Sequence, residues 1–135
     1  LFINALLSRD DIDVNCQDII QILKLFYSNQ TPLFLALTKE NLELFENLLN
    51  KKDIDVNIQN NDGNTPLHLA IENNKIEFVA SLIKNDKCNL CLTNNDNMTP
   101  LLLAFMYEHK NIVNLLLSAP RDININFKDE NGILL

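Results

Sequence analysis

The sequence predicts an all-α fold in which similar helix–turn–helix units stack into a solenoid, and three observations support this prediction. First, the segments TPLFLA, TPLHLA and TPLLLA begin at Thr31, Thr65 and Thr99, a fixed spacing of 34 residues. Second, each segment leads into two stretches with apolar residues at helical spacing. Third, a polar turn rich in Asn and Asp separates one unit from the next. Such a period is typical of repeat proteins, in which each unit buries its apolar face against its neighbours.

The first helix of each unit is predicted to begin at the Thr-Pro pair. Thr is a good N-cap because its hydroxyl accepts a hydrogen bond from a backbone N–H of the first turn. Pro is tolerated at the next position, where its missing N–H would have no helical partner. The polar segments KEN from Lys39, NNK from Asn73 and EHK from Glu108 predict the break before the second helix.

The second helix of each unit carries one apolar stripe, which must be buried against a neighbour. The stripe residues are Leu44, Phe45, Leu48 and Leu49, then Phe78, Val79, Leu82 and Ile83, then Ile112, Val113, Leu116 and Leu117. A β-hairpin-like turn is expected after this helix. Gly63 and Gly132 suit a left-handed backbone there, and Asn97 is a tolerable substitute in the middle unit.

The 135 residues are expected to form a single domain. Its predicted parts are a partial repeat at 1–15, an insertion and turn at 16–30, repeats at 31–63, 64–97 and 98–132, and the start of a truncated repeat at 133–135. Because the units at both ends are incomplete, we expect either a longer parent protein or end-to-end self-association.

The insertion predicts a short extra helix near residues 18–28. Asp18 and Gln21 have the spacing of a capping box, and apolar residues after them fall on one helical face. Two interpretations remain open. The apolar face packs onto the first helix pair, or Phe26 and Tyr27 stay exposed as anchors for a partner.

The repeated motifs resemble ankyrin repeats. The resemblance rests on DGNTPLHLA, on the second helix that ends in SLI, and on DVN at Asp55–Asn57, and it covers nearly the whole chain. The Gly-His pair usual between the two helices is replaced by Asn74–Lys75 and Glu108–His109. The resemblance implies that His68 hydrogen-bonds locally within the turn, a structural role rather than a catalytic one.

Residues that could carry chemistry are few, and we expect no enzyme activity, cofactor or metal. Cys88 and Cys91 form a Cys-x-x-Cys motif, but a zinc site needs further ligands that the sequence lacks. A redox motif would begin a helix after a strand, which this motif does not. Asn57 stands in a context that resembles hydroxylated ankyrin asparagines, and the alternative is that its side chain orders the turn.

Composition narrows the classes of partner and the compartment. The formal net charge of −7 disfavours nucleic acid and anionic membrane surfaces as partners, because an acidic chain cannot neutralise their phosphate groups. Three cysteines do not make a disulfide framework, which favours a reducing compartment, the cytoplasm.

The resemblance also implies a protein-interaction module that binds through a concave surface of turns and first helices. The variable contact positions, carried over by alignment, are Asn61, Asp62, Asn64, Glu72, Asn73, Asn95, Asp96, Met98, Met106, Tyr107, Tyr27, Thr38 and Lys39. Their mixed character predicts a polypeptide partner with basic and apolar features. The alternative function is a scaffold or regulatory segment of a larger enzyme or signalling protein.

Overall fold

The structure is a computed structural model that describes residues 31–121. Within this range the chain forms six helices and no strand. They are α1 (Pro32–Thr38), α2 (Leu42–Leu49), α3 (Pro66–Glu72), α4 (Ile76–Lys84), α5 (Pro100–Met106) and α6 (Lys110–Leu117). The predicted all-α repeat architecture is therefore confirmed. The partial repeats at both ends, the inserted helix near 18–28, and Tyr27 lie outside the described residues.

The chain divides into two compact units, Leu1–Val56 and Asn57–Leu135. In the described part of the first unit, α1 packs against α2. In the second unit, α3 packs against α4 and α5 against α6, and the two pairs stack through contacts of α3 with α5 and of α4 with α6. Each pair is one repeat, and the second unit therefore contains two successive repeats in full contact.

The three Thr-Pro pairs begin the first helices, as the sequence predicts. Thr31, Thr65 and Thr99 have extended backbones, and each hydroxyl accepts a hydrogen bond from the N–H three residues later. The prolines occupy the first helical position, where no N–H is required. Identical caps at a constant spacing explain why the three helices begin at equivalent positions.

The break between the paired helices is a Schellman motif in all three repeats. After α3, the N–H of Lys75 bonds to the carbonyl of Ala70 and the N–H of Asn74 to that of Ile71. The residue that turns the chain has positive φ: 56° at Glu40, 54° at Asn74 and 58° at Glu108. Glycine is preferred in this conformation because it has no Cβ to clash. The turn therefore forms without the usual Gly, at a conformational cost.

The apolar stripe of the second helix is buried as predicted in α2 and α4, but the prediction is wrong for part of α6. Ile112 and Leu116 are buried, whereas Leu117 is 52% exposed. The equivalent Ile83 in α4 is 9% exposed. The difference arises because α6 packs against α4 and α5, and no helix follows it within residues 31–121.

Candidate functional site

An asparagine turn precedes each of the two repeats of the second unit. The side-chain oxygen of Asn60 accepts hydrogen bonds from the N–H groups of Asp62 and Asn64, each at 3.0 Å. Asn94, one repeat later, does the same for Asp96 and Met98, also at 3.0 Å. These are Asx-type turns, in which the amide side chain imitates a backbone partner. The chain reverses with positive φ at Gly63 in the first turn and Asn97 in the second.

Successive turns are hydrogen-bonded to each other. The backbone N–H of Asn95 donates to the carbonyl of Asp62 at 3.0 Å, and its side-chain amide donates to the carbonyl of Asn61 at 2.9 Å. The amide of Asn94 donates to the side-chain oxygen of Asn64 at 2.9 Å. Gln59 completes the connection by donating to the carbonyl of Thr93 at 3.0 Å. The predicted site residues in these turns are therefore held in fixed positions.

His68 is fully buried and connects the same two turns. Its Nδ1 accepts a hydrogen bond from the N–H of Thr65 at 3.1 Å, and its Nε2 lies 2.9 Å from the carbonyl of Met98. Nε2 must therefore carry the proton and donate it to that carbonyl. Burial lowers the pKa of His68, so the ring stays neutral. These contacts support the structural role that the resemblance implies.

A groove of about 390 Å³ lies beside the turns, on the first-helix side of the second unit. Six of the sequence-predicted partner-binding residues line it, together with two that were not predicted. The six are Asn64, Glu72, Asp96, Met98, Met106 and Tyr107, and the other two are Asn94 and Leu103. The structure thus brings together residues from two successive repeats that lie up to 43 positions apart in the chain.

The groove combines exposed apolar surface with negative charge. Met106 is 68% exposed and Tyr107 is 46% exposed. The Tyr107 hydroxyl donates a hydrogen bond of 3.3 Å to the carboxylate of Glu72, and its ring stacks on His109 with centroids 5.7 Å apart. The pKa of Tyr107 is raised, chiefly because ionisation would place a second negative charge beside Glu72. The hydroxyl therefore remains a donor at neutral pH.

The remaining predicted residues do not line this groove. In the second unit, Asn61, Asp62, Asn73 and Asn95 are exposed beside it. The amide of Asn73 donates to the carbonyl of Leu69 in its own helix at 2.9 Å. Thr38 and Lys39 are exposed at the end of α1, in the first unit.

Asn57 is held by both atoms of its amide. Its nitrogen donates to the carbonyl of Lys87 at 2.9 Å, and its oxygen accepts from the N–H of Asn89 at 2.7 Å. The side chain therefore orders the connection between two turns. These contacts agree with the interpretation that the Asn57 side chain orders the turn, and hydroxylation of Asn57 stays a prediction.

Arg121 is a structural residue that the sequence analysis missed. Its guanidinium donates to the carbonyls of Ile83 and Cys88, each at 2.5 Å. Ile83 lies in the last turn of α4, where carbonyls have no partner within the helix.

Cys88 is buried, and burial raises the pKa of its thiol to about 11. The thiolate, which is the form that binds metal or attacks a disulfide, is therefore disfavoured. Within residues 31–121, no group of three or more His, Cys, Asp or Glu side chains is placed to hold a metal ion. None of the six helices there has the length and apolar character needed to cross a bilayer.

Comparison with known proteins agrees with the repeat geometry. A family model described as ankyrin repeats (3 copies) matches residues 2–91 and 33–129. The chain belongs to the ankyrin repeat family. Ankyrin repeats are generally non-catalytic modules that bind protein partners. A search of curated proteins finds no match to the chain.

A solved ankyrin structure shows the same fold. The ANK domain of Osh1 from Kluyveromyces lactis aligns with 96% of this chain, with a TM-score of 0.50 and 20% sequence identity. The chain spans 64% of the length of that solved chain. At this identity the similarity concerns the fold alone.

Proposed function

We propose that this ankyrin chain binds a polypeptide partner through the groove between its second-unit repeats, without catalysis. One observation carries the proposal. Six positions that the repeat alignment assigns to partner contact surround a single groove, although they come from two turns and two helices. Among them, Glu72 and Asp96 supply negative charge, and Met106 and Tyr107 supply exposed apolar surface.

The exposure of these side chains is the physical argument for a partner. Met106 and Tyr107 are adjacent at the end of α5, and a partner that covered them would remove their apolar area from water. Tyr is enriched among the residues that dominate binding energy, and Met adapts its shape to different ligands. Negative charge beside this patch favours a partner that presents basic residues next to apolar ones.

The test uses the chain as bait for a phage-displayed library of random peptides. Selected peptides are synthesised, and their affinities are measured by calorimetry for the wild-type chain and for Met106→Ala/Tyr107→Ala. We expect at least a tenfold loss of affinity, since truncation of buried interface anchors commonly removes about 2 kcal/mol or more. Phe105→Ala/Leu117→Ala is the matched control, because it removes two other exposed apolar side chains. Equal affinity for the groove variant and the wild type would refute the proposal.

Two other exposed apolar side chains, Phe105 and Leu117, support the expected end-to-end self-association. Phe105 is 57% exposed, whereas Ile71, its equivalent in the preceding repeat, is fully buried. Leu117 is likewise more exposed than Ile83, its equivalent in the preceding repeat. We propose that two copies of the chain cover these residues on each other. Sedimentation should detect a dimer that Phe105→Ser/Leu117→Ser converts to monomer, and a wild-type chain that remains monomeric at high micromolar concentration would contradict this.

A further inference from the structure

The carboxylate of Glu72 is the one charged group of the groove that has a described hydrogen bond to the groove wall. Glu72 ends α3, and Tyr107 follows α5 one repeat later. The Tyr107 hydroxyl donates to Glu72 Oε1 at 3.3 Å, and both side chains are exposed. The bond is long for an O–H donor, whose usual distance is about 2.7 Å. It is therefore a weak contact at the position where a ligand would enter.

The lining of the groove specifies what kind of ligand group fits beside this carboxylate. Met98, Leu103 and Met106 supply apolar surface, while Glu72 and Asp96 supply two negative charges. None of the described residues that line the groove is basic. A cationic group joined to an apolar stem would satisfy both parts of the lining.

Arginine fits this lining better than lysine. A guanidinium is planar, can pair with a carboxylate through two parallel N–H groups, and can lie against an aromatic ring at the same time. At Glu72 both partners are present, since the phenol ring of Tyr107 is adjacent to the carboxylate. A lysine ammonium is compact and strongly hydrated, and it cannot make the planar two-point contact.

We propose that Glu72 anchors an arginine side chain of the polypeptide partner, and that the Tyr107 hydroxyl occupies this anchor in the free chain until the arginine displaces it. The inference rests on the proposed function of the groove. Displacement requires no movement of the ring, because rotation of the hydroxyl hydrogen toward water releases the carboxylate. The ring remains stacked on His109, with an interplanar angle of 13°, and stays available to the guanidinium.

Replacement of the Tyr107 hydroxyl by an arginine side chain at Glu72 is expected to be favourable. Both bonds use the ionised carboxylate, but arginine can make two parallel N–H···O bonds and brings a positive charge, whereas Tyr107 makes one bond of 3.3 Å. The displaced hydroxyl loses little, because it is exposed and water can accept its hydrogen bond. Tyr107 thus acts in two opposite ways: its ring supports the arginine, and its hydroxyl competes with it.

The experiment compares three short peptides that differ only at a central residue, arginine, lysine or citrulline, flanked by leucines. Binding is followed by NMR titration of the isotope-labelled full chain, with signals assigned around the groove. We expect the arginine peptide to bind at least about fivefold more tightly than the citrulline peptide. Glu72→Gln should abolish this preference. Tyr107→Phe should raise the affinity for the arginine peptide about threefold, because it removes the competing donor and keeps the ring.

Controls separate this inference from the proposed function. Glu77→Gln removes the same charge from an exposed position on α4 and should leave the preference intact. Equal binding of the arginine and citrulline peptides, with Met106→Ala still weakening both, would overturn the arginine anchor and leave groove binding in place. Unchanged or weaker arginine binding by Tyr107→Phe would overturn the displacement. Arginine amide that binds as tightly as the peptide would show that the apolar flank contributes nothing and would overturn the peptide assignment.

Discussion

The turns and the groove of the second unit are both formed by the repeated sequence unit, but their side chains make very different contacts. In the turns, Asn60 and Asn94 make the same Asx hydrogen bonds one repeat apart, and His68 joins the two turns by bonds through both ring nitrogens. In the groove, Met106 is 68% and Tyr107 is 46% exposed, and Tyr107 contacts the preceding repeat through a 3.3 Å hydrogen bond to Glu72.

The difference follows from which equivalent positions carry the same residue in both repeats. Asn60 and Asn94 are identical, as are Thr65 and Thr99, because the turn and the cap need the same chemistry in each copy. At the groove, Glu72 corresponds to Met106. The pairs that repeat keep the turn and the cap, whereas changed pairs such as Glu72/Met106 and Asn64/Met98 give the groove its mixed polar and apolar character.

Gly63→Ala should cause the largest loss of stability. Gly63 has φ of 75°, and a Cβ there would lie 2.7 Å from the backbone nitrogen of Asn95. The conformational cost and the clash with the next turn together predict a loss of about 3–4 kcal/mol in the free energy of unfolding. Urea denaturation measures it. The matched control is Asn97→Gly, because glycine adopts the positive φ at this equivalent position without a Cβ clash and should not destabilise the chain. A loss below about 1 kcal/mol for Gly63→Ala would mean that the turns are not rigidly paired.

His68→Leu should reduce the free energy of unfolding by about 2 kcal/mol. Leucine has a similar volume and occupies the equivalent position at Leu102, so packing is largely preserved. The loss comes from leaving the N–H of Thr65 and the carbonyl of Met98 without their ring partners in a buried place. Thermal and urea unfolding report it. Stability equal to that of the wild type would show that His68 does not join the turns.

The pH dependence of stability tests the same residue in another way. Burial holds the pKa of His68 below the value of the unfolded chain, about 6.5. Below that pH the unfolded chain binds a proton that the folded chain does not, so the free energy of unfolding falls as the pH falls. The slope is at most about 1.4 kcal/mol per pH unit and ends at the folded pKa.

The control for this measurement is the His68→Leu variant, which should lose the slope that begins below about pH 6.5. A slope that survives in His68→Leu would assign the pH dependence to other groups and contradict the buried neutral ring.

The sequence predicts the turns well and the groove only in part. Caps, helix starts and the left-handed position at Gly63 depend on local chemistry, which single residues such as Thr65 reveal. The repeat alignment also predicts most groove residues, because equivalent positions share a face. The Tyr107–Glu72 hydrogen bond and the two bonds of Arg121 could not be predicted. They depend on side-chain positions between elements, which spacing does not determine.

Glu108→Gly should raise the free energy of unfolding by about 1 kcal/mol. Glu108 turns the chain between α5 and α6 with φ of 58°, a conformation that glycine adopts without a Cβ clash. Thermal unfolding should show the increase. Asn74→Gly, at the equivalent turn, should gain less because Asn tolerates this conformation better than Glu. A loss of stability in Glu108→Gly would indicate that the carboxylate contributes more than the backbone strain costs.

Met106→Ala/Tyr107→Ala should have the smallest effect on stability, about 0.5 kcal/mol, although it has the largest expected effect on binding. Both side chains are exposed, and the 3.3 Å hydrogen bond to Glu72 competes with water. Urea unfolding and peptide calorimetry on the same samples would separate the two properties. Near-native stability with lost binding would show that stability and binding in this ankyrin chain depend on residues at different positions of the repeat. A loss of stability as large as that of His68→Leu would instead make the groove part of the structural core, and the contrast between the two regions would fail.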